Sequence, residues 1–497
     1  MTRFQVPRIA IHWFRRDLRL ADNTALAAAS RACDVVVPVF VFDPNILRAP
    51  DIGAPRVAYL LDCLAELRER LAKAGVPLVV RRGDPVVELV ALARDLDANV
   101  VFTNRDYSPY GRSRDEKVRT ALAREGVGFS DHGDLLLVEP WECVKDDGNP
   151  YTVFTPFARR WRGIPKVAPE RAVRLRRLGA SGDEVRAGAL PTLGDLGLES
   201  SLQLPAGGES AARQRLRRFV ANRLERYASS RDLPALDGTS NLSADLKFGT
   251  ISARQVLASV GESIGPELLD RDPRRPGPGM TRAEETRLTE MGPFVTELCW
   301  RDFYQAVLFH FPRVLRGPFR RTHVALEWPP ADPVLLRAWQ EGRTGFPIID
   351  AGMRQLRATG WMHNRLRMLT ATFLAKTLLI DWRIGERFFM RHLVDGDHAA
   401  NNGGWQWCAS TGTDAAPYFR IFNPWLQSRK IDAEGEYIRR WVPELSDVPA
   451  PLVHEPGRDP DILARTGYPP PCIDYAEQRA AALALLGPGG RGRPASV

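Results

Sequence analysis

The sequence predicts an α/β domain built on a doubly wound parallel sheet, followed by an all-α domain. In the first third of the chain, short apolar runs alternate with amphipathic stretches. From residue 213 onward, apolar residues recur mainly at helical spacing. A stretch rich in Gly, Pro, Ser and charge, 165–212, separates the two patterns. We therefore predict an α/β domain over 1–140, an interdomain linker over 141–212, a helical domain over 213–480 and a flexible tail over 481–497.

Short apolar runs in the first domain predict buried strands at 8–14, 35–43, 77–84 and 99–104. Between them, residues 56–74 and 85–97 have the spacing of amphipathic helices. Repeated strand–helix–strand order is typical of a parallel sheet with helices on both faces. Ligands of such sheets bind at the carboxyl ends of the strands, so we expect a binding site there.

The helical domain contains one predicted interruption. A Pro/Gly/Arg-rich segment at 265–284 predicts a surface loop. The final residues, GPGGRGRPASV, have a disordered composition and contain a formal GxGxxG pattern. Because no predicted strand precedes this pattern and no predicted helix follows it, we do not interpret it as a nucleotide site.

The composition is typical of a soluble globular protein and favours a polyanionic partner. The net charge is +9, and most of the positive charge is Arg, which suits phosphate recognition. Six cysteines lie far apart without a CxxC pair, which argues against a zinc site or disulfide framework and fits a reducing cytoplasm. We find no signal peptide and no apolar run approaching about 18 residues. We therefore expect a cytoplasmic protein without membrane contact.

The most informative segment is 360–424, where indoles, amides, carboxylates and Arg side chains concentrate. Three of the twelve tryptophans fall between Trp382 and Trp407. Apolar cores favour Leu, Val and Ile instead, and buried indole N–H groups need partners. This composition predicts a large, flat, polar ligand and a protein that handles electrons or stacked bases.

Two predicted helix faces carry the same kind of chemistry. Helical spacing places four side chains on one face of each helix: Trp361, Asn364, Arg365 and Met368 on one, and Glu297, Trp300, Arg301 and Tyr304 on the other. A single such face is equally typical of the solvated edge of a core helix. Two matching faces beside the Trp405–Trp407 segment favour a binding site.

The sequence resembles the DNA photolyase/cryptochrome family over nearly the whole chain. The matching motifs are WFRRDLRLADNTAL (13–26), GTSNLSADLKFGTIS (238–252), ELCWRDFY (297–304), TGWMHNRLRM (359–368) and DGDHAANNGGWQWCASTGTDAAPYFRIFNP (395–424). Their length, order and spacing make chance similarity implausible.

The resemblance implies FAD bound in the helical domain. The segment Thr239, Ser240, Asn241, Leu242 and Ser243 offers hydroxyl and main-chain N–H groups suited to a pyrophosphate near a helix start. A simple helix N-cap is the alternative for its first three residues, and both interpretations are compatible. Further implied flavin positions are Tyr227, Arg301, Trp361, Asn364, Arg367, Asp395, Gly396, Asp397 and Asn401.

Within this set, three positions have more specific expectations. Arg367 is expected to pair with Asp395 beside the flavin ring, although an Asp-Gly-Asp triplet is otherwise a common turn or cation-binding loop. Asn401 resembles the residue that faces flavin N5, and Asn there is typical of photolyases rather than cryptochromes.

Trp405, Trp382 and Trp328 resemble the family's electron-transfer chain from the flavin to the surface. Such a chain returns the flavin to its reduced form under light. Large aromatic residues that simply pack between helices are the alternative, above all for Trp328.

The resemblance also implies a pocket for a flipped-out DNA lesion. Glu297, Asn364 and Met368 are the expected catalytic contacts, and Trp300, Arg365 and Trp407 complete the DNA-binding pocket. Acidic and amide groups suit the polar edge of a cyclobutane dimer, while indoles and Met suit its apolar carbons. Members that act on (6-4) photoproducts carry His at the position of Asn364, and the adjacent His363 is interpreted as structural. Arg231 and Gln427 resemble further DNA contacts.

A second chromophore is expected in the first domain, with Arg56, Asp106 and Lys247 as candidate contacts. The segment NRDYSPYGRSRD (104–115) resembles members that bind 8-hydroxy-5-deazaflavin. The alternatives are methenyltetrahydrofolate, another antenna or an empty site.

Together these expectations predict a carbon–carbon lyase that repairs cyclobutane pyrimidine dimers in UV-damaged DNA with light. We also expect a monomer. The alternatives are a cryptochrome-type blue-light sensor, a (6-4) photolyase and a nucleic-acid-binding flavoprotein without photochemistry.

Overall fold

A computed structural model describes residues 8–170, 173, 187–320, 327–415, 417 and 419–486. The first domain is built on a parallel sheet in the order β3-β2-β1-β4-β5. The strands are β1 (Ile9–Phe14), β2 (Val35–Phe42), β3 (Val79–Arg82), β4 (Val100–Asn104) and β5 (Gly128–His132). Strand order reverses at β1, which gives the doubly wound topology that the sequence predicts.

The four predicted strands are confirmed, whereas β5 was not predicted. Its sequence, GFSDH, contains a single large apolar residue, Phe129, and none of its residues is fully buried. It pairs only with β4 at the edge of the sheet. An edge strand has one solvated side and therefore lacks the continuous apolar run that identifies central parallel strands.

Helices cover the sheet between the strands. They are α1 (Thr24–Ala32), α2 (Pro44–Leu47), α3 (Ala54–Lys73), α4 (Pro85–Asp95) and α5 (Pro109–Arg124). Two of them, α3 and α4, lie close to the predicted bounds of 56–74 and 85–97, whereas the other three were not predicted. Helix α4 begins at Pro85 because Asp84 caps it, accepting from the Val86 N–H.

The predicted linker contains regular structure. Helix α6 (Phe154–Arg162) lies within 141–212 and packs Phe157 and Trp161 into the core of the helical domain. Helix α7 (Glu209–Asn222) begins four residues before the predicted domain start at 213, directly after Gly208 with its φ of 95°. Parts of the linker, 171–172 and 174–186, lie outside the described residues.

The second domain is helical throughout its described parts. Its remaining helices are α8 (Tyr227–Ser230), α9 (Ser243–Phe248), α10 (Ala253–Ile264), α11 (Arg282–His310), α12 (Pro333–Glu341), α13 (Pro347–Thr359), α14 (Asn364–Thr372), α15 (Trp382–His392), α16 (His398–Cys408), α17 (Pro424–Ile431), α18 (Glu436–Trp441), α19 (Ala450–Val453), α20 (Pro460–Thr466) and α21 (Tyr475–Leu486). A π-helical turn, Phe373–Thr377, follows α14.

Two predicted irregular segments are shorter than expected. The loop predicted over 265–284 ends at Thr281, which caps α11 in a capping box with Glu284. Helix α21 continues to Leu486, six residues into the predicted tail, because Ala and Leu dominate that stretch. The rest of the tail, including the GxGxxG pattern, lies outside the described residues.

Buried ion pairs join the two domains. Arg19 of the first domain pairs with Asp134 at 2.7 Å, and Arg254 of the helical domain pairs with both Asp134 at 2.7 Å and Asp22 at 3.1 Å. Because separating such a buried network would leave unpaired charges in a low-dielectric interior, it fixes the domains against each other. In the described ranges, none of the helices is long and apolar enough to cross a membrane.

Candidate active site and its neighbouring cavity

A cavity of about 450 Å³ opens in the helical domain, with walls formed mainly by α11, α14, α16 and the segment 393–397 that precedes α16. It brings together fourteen of the sequence-predicted site residues. They are Arg231, Glu297, Trp300, Arg301, Asn364, Arg365, Arg367, Met368, Asp395, Gly396, Asp397, Asn401, Trp405 and Trp407. We call this space the helical-domain cavity.

Helix α11 presents the predicted face as one continuous surface. Glu297, Trp300, Arg301 and Tyr304 all line the cavity. The Trp300 ring stacks on Phe154 of α6, with ring centroids 3.5 Å apart. One face of this indole is therefore covered, which holds the side chain in place at the cavity wall.

Helix α14 corrects one sequence prediction. The helix begins at Asn364, so Trp361 precedes it and does not share a helix face with Asn364 and Arg365. The physical reason is that Gly360, with a φ of 69°, ends α13, and the His363 imidazole then caps α14 by accepting from the Arg365 N–H. Trp361 packs against the core of the α/β domain instead.

Asp395 combines a paired and an unpaired oxygen. Its Oδ2 accepts from Arg367 Nη2 at 2.7 Å. Its buried Oδ1 has no hydrogen-bond partner among the described residues. A buried unpaired acceptor costs free energy unless a ligand supplies a donor, so this atom marks a place for a ligand N–H or O–H group.

Asp397 is the N-cap of α16 and is surrounded by donors. It accepts from the Ala399 and Ala400 N–H groups, from Gln305 Nε2 at 3.0 Å and from Arg16 Nη2 at 2.6 Å. Burial alone would raise its pKa, but the Arg16 and Lys247 cations reverse that effect and hold the pKa well below its usual value. Asp397 is therefore a permanent anion at the start of the helix that carries Asn401 and Trp405.

Two ion pairs lie at the cavity wall near α11 and α14. Arg231 pairs with Glu297 at 2.8 Å, and Arg365 pairs with Asp232 at 2.5 Å. Asp232 was not singled out from the sequence. Its only signal there is the adjacent Arg231, because an exposed acidic residue carries no periodic pattern.

The tryptophans extend from the cavity into the core. Trp405 lines the cavity and is 2% exposed, with its ring centroid 5.0 Å from Phe389 and 6.1 Å from Trp339. Trp382 is buried in the same apolar cluster, and the half-buried Trp328 packs against that cluster. Trp405 and Trp382 are thus both buried and Trp328 is partly exposed, while Trp339 is a neighbour of Trp405 that the sequence did not indicate.

The remaining predicted residues lie outside the walls of the helical-domain cavity. Tyr227 is buried with its ring edge-on to Phe294, and Gln427 lies half-buried on α17. Residues 239–242 form an irregular segment before α9, in which Asn241 has a φ of 55° and accepts from Thr239 Oγ1 at 3.1 Å. The N-cap of α9 is Leu242, whose side chain cannot accept a hydrogen bond, so the simple N-cap interpretation of this segment is wrong.

A second cavity, of about 480 Å³, lies at the carboxyl ends of β1 and β2 and extends to the helical domain. It contains Arg56, Asp106 and Lys247, the three residues predicted to contact a second chromophore. It shares Gly396 and Asp397 with the helical-domain cavity. We call it the interdomain cavity.

Lys247 gives the interdomain cavity an unusual cation. Its ammonium lies 3.7 Å from Asp397, but burial and the adjacent Arg16 lower its pKa to about 7. Arg56 donates to the main-chain oxygens of Met390 and Asp51. Sequence reasoning missed Arg16 and Asp43, although Asp43 directly follows β2, Arg16 lies two residues after β1, and the carboxyl ends of these strands were expected to bind a ligand.

Comparison with known proteins agrees with the fold. Residues 10–173 match the family model described as DNA photolyase, and residues 294–487 match the model described as the FAD binding domain of DNA photolyase. An α/β domain followed by a helical FAD-binding domain is the architecture that these two family models describe. The chain belongs to the DNA photolyase family.

The relatives extend over nearly the whole chain. A deoxyribodipyrimidine photo-lyase from Synechococcus sp. is 42% identical, over 94% of this chain and 93% of its own length. The structure of an archaeal photolyase from Sulfolobus tokodaii, described as having two FAD molecules that imply a novel light-harvesting cofactor, has a TM-score of 0.78 and 34% identity, covering 96% of this chain and 99% of its own. A Synechocystis sp. cryptochrome has a TM-score of 0.84 and 26% identity, covering 97% and 99%.

Proposed function

We propose that the chain repairs cyclobutane pyrimidine dimers in UV-damaged DNA by a light-driven carbon–carbon lyase reaction. The observation that carries the proposal is the content of the helical-domain cavity. Its walls contain the expected flavin contacts Arg367, Asp395 and Asn401. They also contain Glu297 and Asn364, the expected contacts to the polar edge of the dimer. The relative from Synechococcus, named for this activity, supports the proposal.

The cavity fits FAD by its donors and acceptors. Asp395 Oδ1 is an unpaired buried acceptor for a ring N–H, and Arg367 fixes the orientation of this carboxylate. Asn401 Nδ2 donates to the Glu386 main-chain oxygen at 3.1 Å, which leaves its own side-chain oxygen available to the cavity. When bound, FAD supplies the light-excited electron that opens the cyclobutane ring and then returns to the flavin.

The same walls suit a flipped-out dimer. Glu297 and Asn364 present acceptor and donor groups for the polar base edge, while Met368 and Trp407 present apolar surface for the ring carbons. A dimer pairs weakly with the opposite strand, so extrusion costs less than for intact bases, by a few kcal/mol at most. These residues bind and orient the lesion and exclude water from it.

The structure favours the cyclobutane substrate over a (6-4) photoproduct. A (6-4) enzyme needs an acid/base group where this chain has Asn364. His363 does not supply one, because it is 2% exposed, caps α14 and has a pKa lowered to about 4 by burial. It is therefore neutral at physiological pH and structural in role.

For the interdomain cavity we propose an antenna chromophore, 8-hydroxy-5-deazaflavin, with methenyltetrahydrofolate as the alternative. Lys247, Arg56 and Asp106 supply the contacts. The same proposal includes the electron route Trp405–Trp382–Trp328. It also assigns flavin contacts to Tyr227, Thr239–Ser243 and Trp361, and a DNA contact to Gln427.

The deciding experiment compares two oligonucleotides, one with a cyclobutane thymine dimer and one with a (6-4) photoproduct. Each is incubated with the chemically reduced protein under blue light and in darkness. We expect light-dependent restoration of the cyclobutane substrate alone. Restoration of the (6-4) substrate would contradict the role of Asn364, and repair of neither would place the chain among light sensors.

A further inference from the structure

Two arginines on helix α14 have different kinds of partners. Arg367 pairs with Asp395, whose side chain is 2% exposed, deep in the helical-domain cavity. Arg365 pairs with Asp232, whose side chain is 48% exposed, at the edge of the same cavity. The first pair is shielded from solvent, whereas the second is open to any charged molecule that approaches.

Arg365 has unused hydrogen-bonding capacity. Its Nη2 donates to Asp232, while its buried Nε has no partner among the described residues. A guanidinium offers several donors in a planar fork that matches the oxygens of a phosphate. A phosphate that replaced Asp232 would occupy more of these donors than the single carboxylate oxygen does.

Asp232 is also held close to Arg365 by the local fold. The preceding residue, Arg231, is tied to Glu297 on α11 by its own ion pair. Asp232 also lies close enough to His363, the N-cap residue of α14, to interact electrostatically with its imidazole. The Asp232 carboxylate thus occupies the place beside Arg365 that a negatively charged ligand at the cavity edge would take.

We propose that Asp232 competes with a DNA phosphate for Arg365, an inference that rests on the proposed function only in taking DNA as the ligand. In the free protein Asp232 holds the guanidinium. When DNA binds across the cavity edge, a backbone phosphate replaces the carboxylate. The exchange weakens binding to every DNA, because the Arg365–Asp232 ion pair must be broken. Base contacts inside the cavity compensate for this loss only when a lesion is present. Undamaged DNA is therefore released readily.

The exchange has a signature in the salt dependence. A phosphate that binds Arg365 releases a counterion from DNA, but the freed Asp232 carboxylate takes one up. The wild-type protein therefore gains nothing in counterion release from this contact. Removing the carboxylate should steepen the slope of log Kd against log salt concentration by about 0.9 on duplex DNA.

The test measures dark binding of the full chain to a duplex with one cyclobutane thymine dimer and to the same duplex without it, over a range of KCl concentrations. We expect Asp232→Asn to bind both duplexes about threefold to fivefold more tightly at low salt, with the steeper slope. Asp232→Glu, which keeps the carboxylate, should retain the wild-type slope. In the Arg365→Gln background, Asp232→Asn should give no gain.

Asp272→Asn is the matched control. It makes the same charge change in another Arg–Asp pair, Arg274–Asp272, outside the residues that line either cavity. Weaker or unchanged binding by Asp232→Asn would show that Asp232 merely orients Arg365, and an equal gain in Asp272→Asn would reduce the effect to net charge. Either result overturns the proposal. A wild-type protein that neither prefers nor repairs the damaged duplex would refute the proposed function, while the undamaged duplex would still decide the role of Asp232.

Discussion

The two cavities have similar volumes, about 450 and 480 Å³, and share Gly396 and Asp397, but they are assembled differently. The helical-domain cavity is lined mainly by one face each of α11, α14 and α16. The interdomain cavity collects residues from strand ends, loops and helices of both domains. Helical spacing relates residues three or four positions apart, so it predicts the first kind of wall and not the second.

The cavities also differ in how their charges are balanced. In the helical-domain cavity the carboxylates of Asp232, Glu297 and Asp395 each pair with an arginine. In the interdomain cavity Arg56 is held by main-chain oxygens, and Lys247 is poorly stabilised as a cation. The charges of the helical-domain cavity are therefore already matched within its walls. A negatively charged ligand would add more stabilisation in the interdomain cavity, because it would pair with the Lys247 ammonium.

The largest expected effect tests whether the helical-domain cavity alone is connected to an electron route. Replacing Trp405 with Phe should slow photoreduction of bound flavin by at least about a hundredfold, or about 2.7 kcal/mol in activation free energy. Repair by chemically reduced protein should persist, because the tryptophans only recharge the flavin. Absorbance under blue light and single-turnover repair measure the two quantities.

Trp339→Phe is the matched control for that prediction. The Trp339 ring lies 6.1 Å from Trp405 but is not part of the predicted chain. Equal loss of photoreduction in this variant would move the route from Trp382 to Trp339. Loss of repair by the pre-reduced Trp405 variant would contradict the assigned role of Trp405 itself.

The second prediction concerns recognition of the lesion. Replacing Glu297 with Ala removes a charged acceptor for the base edge and frees Arg231 from its ion pair. We expect affinity for damaged DNA to fall about tenfold or more, as for a lost hydrogen bond to a charged group. Binding to undamaged DNA should change less, because it depends on phosphate contacts. Equal losses on both DNAs, measured by fluorescence anisotropy in the dark, would contradict this role.

The sequence predicted the helical-domain cavity well because its residues lie in ordered motifs on regular helices. Glu297, Trp300 and Arg301 share a face of α11 as predicted. The exception, Trp361, depends on where α14 begins, and that is decided by the Gly360 turn and the His363 cap rather than by apolar periodicity.

The interdomain cavity shows the limit of sequence reasoning. Lys247 lies on a short helix more than a hundred positions from Asp106, and only the domain packing brings both to one cavity. Strand β5 was missed for a related reason, since an edge strand with one large apolar side chain carries no buried-strand signal. Contacts that depend on long-range packing have no local pattern.

A third prediction tests the fit of the flavin. Replacing Asp395 with Asn removes the partner of Arg367 and places an amide at the position of the unpaired Oδ1. We expect flavin affinity to fall about tenfold, the effect of weakening one charge-assisted hydrogen bond in a buried site. Flavin release on dilution measures this loss, and an unchanged affinity would show that Oδ1 does not contact the flavin.

The smallest expected effect would distinguish the cavities by pH. The pKa of Lys247 is about 7 in the folded protein, against 10.5 for an ordinary lysine, because burial disfavours the ammonium. Between these values the unfolded chain binds more protons than the folded one, so the free energy of unfolding rises with pH across that window. An anionic ligand reverses the preference of the buried Lys247 for its neutral form, because it stabilises the ammonium. When the pH exceeds the pKa, such a ligand therefore binds together with a proton.

Affinity for an anionic deazaflavin should therefore fall about fivefold between pH 7 and pH 8, the change in the protonated fraction of a group with a pKa of about 7. Calorimetry in two buffers of different ionisation enthalpy should show proton uptake on binding at pH 8. The Lys247→Met variant should bind with little pH dependence and no uptake, which separates the lysine from ionisation of the ligand itself. Flavin affinity of the helical-domain cavity should stay constant over the same range, because the cation beside Asp395 is a guanidinium and not an amine. If proton uptake persisted in Lys247→Met, the proton would bind to the ligand. That result would contradict the proposed difference in charge balance between the two cavities.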